Sequence, residues 1–212
     1  MRYFIKMNKI QLSDITAKIN TQREIRVEDI PDMELYMEQL LGFLNHQLAH
    51  HNGDPEKVFT KTMINNYTKD GILIPPKNKK YSRQHVMLLA LIHNIKGILP
   101  INDIKLLLAP VLRDTTTAED DLLPLESIYS TYLELSSLFL SDFNKAFAKR
   151  ISFINDLVDK TQGEADAKAA QKFLTILALV AQANMNKSLA EILLNDYVDY
   201  CEQELGITAA KN

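Results

Sequence analysis

Between residues 61 and 83 the chain gathers side chains that can read and hold a polyanion. Lys61, Thr62, Asn65, Asn66 and Lys69 recur at helical spacing, so a helix over 61–70 places them together on one face. An Asn amide can pair with an adenine edge through its two polar atoms, and a lysine reaches guanine or a phosphate. Lys77, Lys79, Lys80 and Arg83 follow, and no acidic residue lies between Gly71 and Arg83. Cations so grouped suit phosphate oxygens. The expectation is a surface for double-stranded DNA. Thr62, Asn65 and Asn66 would face base edges, Lys61 and Lys69 would flank them, and Lys77, Lys79, Lys80 and Arg83 would grip the backbone.

The whole-chain charge argues the other way until it is divided. The 212 residues carry a formal −3. Residues 56–113 hold +7 and the remainder −10, with +5 concentrated in 56–85 alone. A phosphate backbone responds to local charge, so the mild total describes a basic island in an acidic chain.

The elements that must position this island are legible from periodicity and turn chemistry. Pro31-Asp32 opens a helix, with Asp32 as its expected N-cap, and Met33, Tyr36, Met37, Leu40, Leu41, Leu44 and Leu48 form its apolar stripe. The run His50-His51-Asn52-Gly53-Asp54-Pro55 ends it. Thr60 caps the 61–70 helix, Gly71 is its left-handed stop, and Ile64, Tyr67 and Met63 turn inward. Ile72-Leu73-Ile74 reads as a short strand returning through Pro75-Pro76 to a basic arm at 77–81, a two-stranded wing. Ser82 caps the next helix, which stops at Gly97. A last short helix over 101–108 is ended by Pro110.

This order is the layout of a winged helix-turn-helix, in which a second helix enters the major groove. The words Met63-Ile64-Asn65-Asn66-Tyr67-Thr68-Lys69-Asp70-Gly71-Ile72-Leu73, Pro75-Pro76 and Lys79-Lys80-Tyr81-Ser82 resemble the DNA-binding domain of the MerR family. The resemblance implies structural roles for Tyr67, Gly71, Tyr81 and Ser82, with Lys79 standing where the family has its wing arginine. Asn65 stands in place of the recognition-helix arginine, and Asn66 in place of the first aromatic of a pair. From Ile30-Pro31 to Leu106-Leu107, within about residues 28–135, the chain resembles more closely an uncharacterised bacterial family. That family carries a MerR-like domain of unknown function and has no established activity.

The expected organisation is mainly α. It comprises an N-terminal extension at 1–27, a winged-helix domain with a small two-stranded wing at 28–112 and an acidic linker at 113–121. A C-terminal helical domain for dimerisation or effector binding follows at 122–206, then a tail at 207–212. The 125–160 segment reads as one long helix with Ile128, Tyr132, Leu135, Phe139, Phe143, Phe147, Ile151, Ile154 and Val158 on one face. Two more helices are expected at 165–184 and 187–204. A homodimer reading two half-sites is the economical assembly. The expected location is cytoplasmic, with no membrane segment and no signal core ahead of Lys6 and Lys9.

Catalytic patterns are missing from the sequence. It has no Gly-rich phosphate loop, no Gly-x-Ser-x-Gly and no His-Glu-x-x-His. The carboxylates of Glu119-Asp120-Asp121 lie in a polar linker without an apolar pocket to tune them. His46, His50 and His51 fall at a helix end without further ligands, and Cys201 stands alone. The reading is therefore a transcriptional regulator with no enzyme activity, metal or cofactor. The alternative is a protein-interaction or self-association module that keeps the winged scaffold without strong DNA binding.

Overall fold

The computed structural model describes residues 24–49, 58–112, 124–158, 164–204 and 206. The linker expected at 113–121, the N-terminal residues before 24, His50, His51 and the tail after 206 lie outside them. A short 3-10 turn at Val27–Asp29 leads into β1 (Leu35–Tyr36) and α1 (Met37–Leu48). Next come α2 (Lys61–Lys69), β2 (Lys80–Tyr81), α3 (Arg83–Ile95) and α4 (Ile101–Leu112). Two long helices follow, α5 (Leu125–Val158) and α6 (Glu164–Glu204). The protein is mainly helical with one small antiparallel sheet.

That sheet is not the expected hairpin. β2 pairs with β1, Leu35 opposite Tyr81 and Tyr36 opposite Lys80, so a segment ahead of α1 closes on the residues ahead of α3. Ile72 and Leu73 are not a strand. Their backbone N–H groups both donate to the Tyr67 carbonyl, at 2.8 and 3.1 Å, and so finish α2. Local β propensity yields here to helix termination, because the last carbonyls of a helix need donors. The pairing also delays α1. With Leu35–Tyr36 in the sheet, the helix starts at Met37 instead of after Asp32, and the Tyr36 N–H donates to Gln39 Oε1 at 2.9 Å. Met33 and Tyr36, expected on the apolar stripe, are exposed.

Leu40, Leu44 and Leu48 of α1 bury one face against α3, which is covered on all sides from His85 to Ile92. A helix apolar on every face belongs at the centre of a core. Leu125 and Tyr129, at the start of α5, join the same cluster, so the first core draws on residues beyond 112. Ile72, Ile92, Ile104 and Leu108 form a smaller cluster under α4. Pro110 lies inside α4 and does not end it; the helix runs on to Leu112.

The C-terminal half also differs from expectation in two respects. The two helices expected at 165–184 and 187–204 are one, since Asn184-Met185-Asn186 contains neither Gly nor Pro and Asn costs a helix only about 0.7 kcal/mol. The stripe expected along α5 is buried only in its second half, at Phe147, Ile151, Ile154 and Val158; Ile128, Tyr132 and Phe143 are half-buried, and Leu135 and Phe139 face solvent. Among the described residues, no helix is long and apolar enough to cross a membrane.

Candidate nucleic-acid interface

The 61–69 helix is anchored at both ends by backbone chemistry. Ahead of it, the Asn45 side chain on α1 accepts from the Phe59 N–H at 2.8 Å and donates to the Phe59 carbonyl at 3.0 Å. This two-point clamp fixes the chain where it enters α2. Thr60 then caps the helix, its Oγ1 accepting from the Met63 N–H at 3.2 Å. At the far end Gly71 takes φ +72°. Its N–H reaches the Thr68 carbonyl at 3.2 Å and the Ile72 N–H reaches Tyr67 at 2.8 Å. This is the Schellman arrangement, which glycine adopts without a Cβ penalty.

With the ends fixed, the helix has one rotational setting. Ile64 is fully buried, and Met63 and Tyr67 are half-buried. Lys61, Thr62, Asn65, Asn66 and Lys69 are all exposed. At 100° per residue these five fall within one side of the helix. Burial pushes the Tyr67 phenol above its ordinary range, so its hydroxyl stays neutral beside the lysines. A Cβ on Gly71 would lie 3.9 Å from Lys105 Cε, which places a cation of α4 beside the end of α2. The sequence reading did not include Lys105. Its spacing within 101–112 marks a helix, but only the α4 packing brings it here.

The basic arm is a tight turn between Lys77 and β2. The Lys80 N–H donates to the Lys77 carbonyl at 2.9 Å, and Asn78 and Lys79 take φ of +52° and +63°. Two successive left-handed residues define a turn that normally favours Asn-Gly. Lys77 and Lys79 are exposed. Lys80 is half-buried, 3.8 Å from Glu34 and 5.7 Å from the centre of the Tyr36 ring. Tyr81 turns into the core and meets His85 edge-on at 5.2 Å.

The remaining candidate residues face into the fold. The Ser82 N–H donates to His85 Nδ1 at 2.9 Å, and Ser82 Oγ lies at the same distance from that nitrogen. Nδ1 is therefore an acceptor and the neutral ring carries its proton on Nε2. Burial holds the His85 imidazole below its ordinary pKa; the Ile74 and Pro75 carbonyls and Glu34 pull weakly the other way. Arg83 donates to the Val27 and Ile30 carbonyls, both at 2.7 Å, and lies 3.2 Å from Asp32 and 3.8 Å from Glu126. Its guanidinium ties the 3-10 turn, α3 and α5 together, whereas Lys77 and Lys79 are free to meet a ligand in solvent.

Other candidate chemistry is sparse. His46 is exposed, and no cluster of three His, Cys, Asp or Glu is arranged to hold a metal among the described residues. Cys201 is buried on α6 beside Tyr197, whose phenol is pushed up to about 12 by burial and by that thiol.

Fold and surface together define a mainly helical protein with a small two-stranded sheet and a solvent-facing helix lined by Lys, Asn and Thr. Residues 25–132 match the family described as a domain of unknown function, DUF1836, and the chain belongs to that family. The match ends just beyond Tyr129, so it spans the whole first core including the start of α5. Neither a curated protein nor a solved structure matches the chain.

Proposed function

We propose that the protein binds double-stranded DNA as a regulator of transcription, through a winged helix-turn-helix of MerR-like type. α2 enters the major groove, with Thr62, Asn65 and Asn66 toward base edges and Lys61 and Lys69 beside them. The 77–80 turn acts as the wing, with Lys77 and Lys79 on phosphates and Lys80 contributing from its place beside Glu34. Arg83, held by the Val27 and Ile30 carbonyls, fixes the 3-10 turn to the start of α3.

The observation that carries this reading is Lys79. A non-glycine residue in the left-handed region costs roughly 1 kcal/mol, and a turn of this shape accepts glycine there without that cost. Backbone strain at an exposed cation, at the tip of a charged turn, supports a functional contact for that side chain. The sequence resemblance to MerR proteins supports the same assignment.

Fluorescence anisotropy with a pool of genomic duplexes tests it. Binding at low salt is expected, with log affinity falling linearly against log salt. A flat titration at low salt would sink the reading and leave the winged scaffold to protein contact.

A further inference from the structure

α6 is built inside out. The residues it turns toward α5 are small or polar: Ala167 packs on Ile154 and Val158, and Gln171 bonds to Asn155. Further along, Leu194 is buried and α6 also packs on α4, but the large apolar side chains of its middle point away. Phe173, Ile176, Leu177 and Val180 keep 61%, 59%, 48% and 50% of their surface in solvent. Their spacing of three, one and three residues forms one stripe along the helix. From Phe173 to Asn186 the helix has no charged residue at all.

The surrounding exposed surface is large. Fifteen big apolar residues of α5 and α6 stand in solvent, from Leu135 to Tyr200. They lie on several sides of the two helices, and Phe173, Ile176, Leu177 and Val180 are the part that forms a continuous stripe on α6.

The stripe is also complementary to itself when reversed. About a two-fold axis between Ile176 and Leu177, an antiparallel copy sets Ile176 against Leu177 and Phe173 against Val180. The same operation sets Asp166 opposite Lys187, which within its own chain lies 3.6 Å from Glu191, one such pair at each end and about 30 Å apart along the helix. A two-fold contact juxtaposes like with like at its axis, so a charge there would oppose itself. The uncharged centre and oppositely charged ends meet that requirement. We infer that the protein forms a two-fold dimer in which the α6 helices of two copies pack antiparallel, centred on Ile176 and Leu177. This surface is independent of the DNA reading, and its test contains no nucleic acid.

Sedimentation equilibrium of the full chain, up to about 100 µM, measures it. The wild type is expected to dimerise. Ile176→Glu, at an exposed position, should leave helix content and thermal unfolding of the monomer intact and weaken association at least about tenfold, because it sets two carboxylates at the axis. Asp166→Lys should weaken it about three- to tenfold, and adding Lys187→Asp should restore it. A wild-type chain that stays monomeric assigns the stripe to another polypeptide or to none, and overturns the proposal. So does an Ile176→Glu chain that dimerises like wild type, or a double reversal no tighter than Asp166→Lys alone.

Discussion

Tyr129 donates its hydroxyl proton to the Ile25 carbonyl across 2.6 Å, binding α5 to a residue 104 positions earlier. Both residues are almost wholly buried. The phenol is held well above its ordinary pKa, by burial first and by Glu24 second, so it remains a donor throughout the accessible pH range. Tyr129→Phe keeps the ring and leaves the Ile25 carbonyl without this donor. A loss of about 1–3 kcal/mol in urea unfolding is expected. An unchanged midpoint would show that the bond from Tyr129 to the Ile25 carbonyl adds nothing to stability.

Arg83 belongs to the same seam. Its two charge-assisted bonds to the Val27 and Ile30 carbonyls carry the 3-10 turn, and the side chain is only one-quarter exposed. Arg83→Ala should therefore lower stability by about 2–3 kcal/mol. The salt dependence of DNA binding by the fraction still folded should stay as it was. A variant of wild-type stability whose salt slope falls by about 1 would return Arg83 to the phosphate-contacting set.

Much of this seam was invisible in sequence, whereas the helix face was not. Ile64 against Asn65 and Asn66 reads directly from a 3.6-residue period, and Thr60 and Gly71 mark the helix ends by their own chemistry. Those signals are local. The partner of Lys80–Tyr81 is not, because two-residue strands carry no period and Leu35–Tyr36 looks like the start of a helix. Arg83 looked like one more cation of a basic run, and only the fold brings Val27 and Ile30 within its reach. The solvent-facing apolar stripe of α6 was not legible for a related reason. Helical periodicity says which residues share a face but not which side of the helix its neighbour occupies.

His85 gives the fold a pH dependence with a definite sign. Its Nδ1 accepts the Ser82 N–H at the start of α3, and protonation would put a proton where that acceptor stands. Burial lowers its pKa in the folded state, so the unfolded chain takes up the proton first as pH falls. Stability from this group is complete above the ordinary histidine value near 6.5 and declines below it. Between pH 7.5 and about 5.5 wild-type stability is therefore expected to fall. His85→Gln supplies an uncharged acceptor to the same N–H. The difference in urea midpoint between wild type and His85→Gln should therefore narrow or reverse toward acid. A difference that is constant with pH would remove His85 as the source.

Lys79 separates function from stability most sharply, because one substitution should move them in opposite directions. Its φ of +63° is a conformation glycine adopts freely, and Asn78 before it already suits the turn. Lys79→Gly relieves roughly 1 kcal/mol of left-handed strain but adds about 0.5–1 kcal/mol of unfolded-state entropy, so a net gain of up to about 0.5 kcal/mol is expected. The same change removes a cation from the turn's tip. DNA affinity should then fall, and the log–log salt slope should become shallower by about 1. Asn78→Gly relaxes the neighbouring residue without altering charge and should leave the slope alone. A stabilised Lys79→Gly chain with unchanged affinity and slope would mean that the strained lysine contacts no phosphate, and the wing assignment would fall with it.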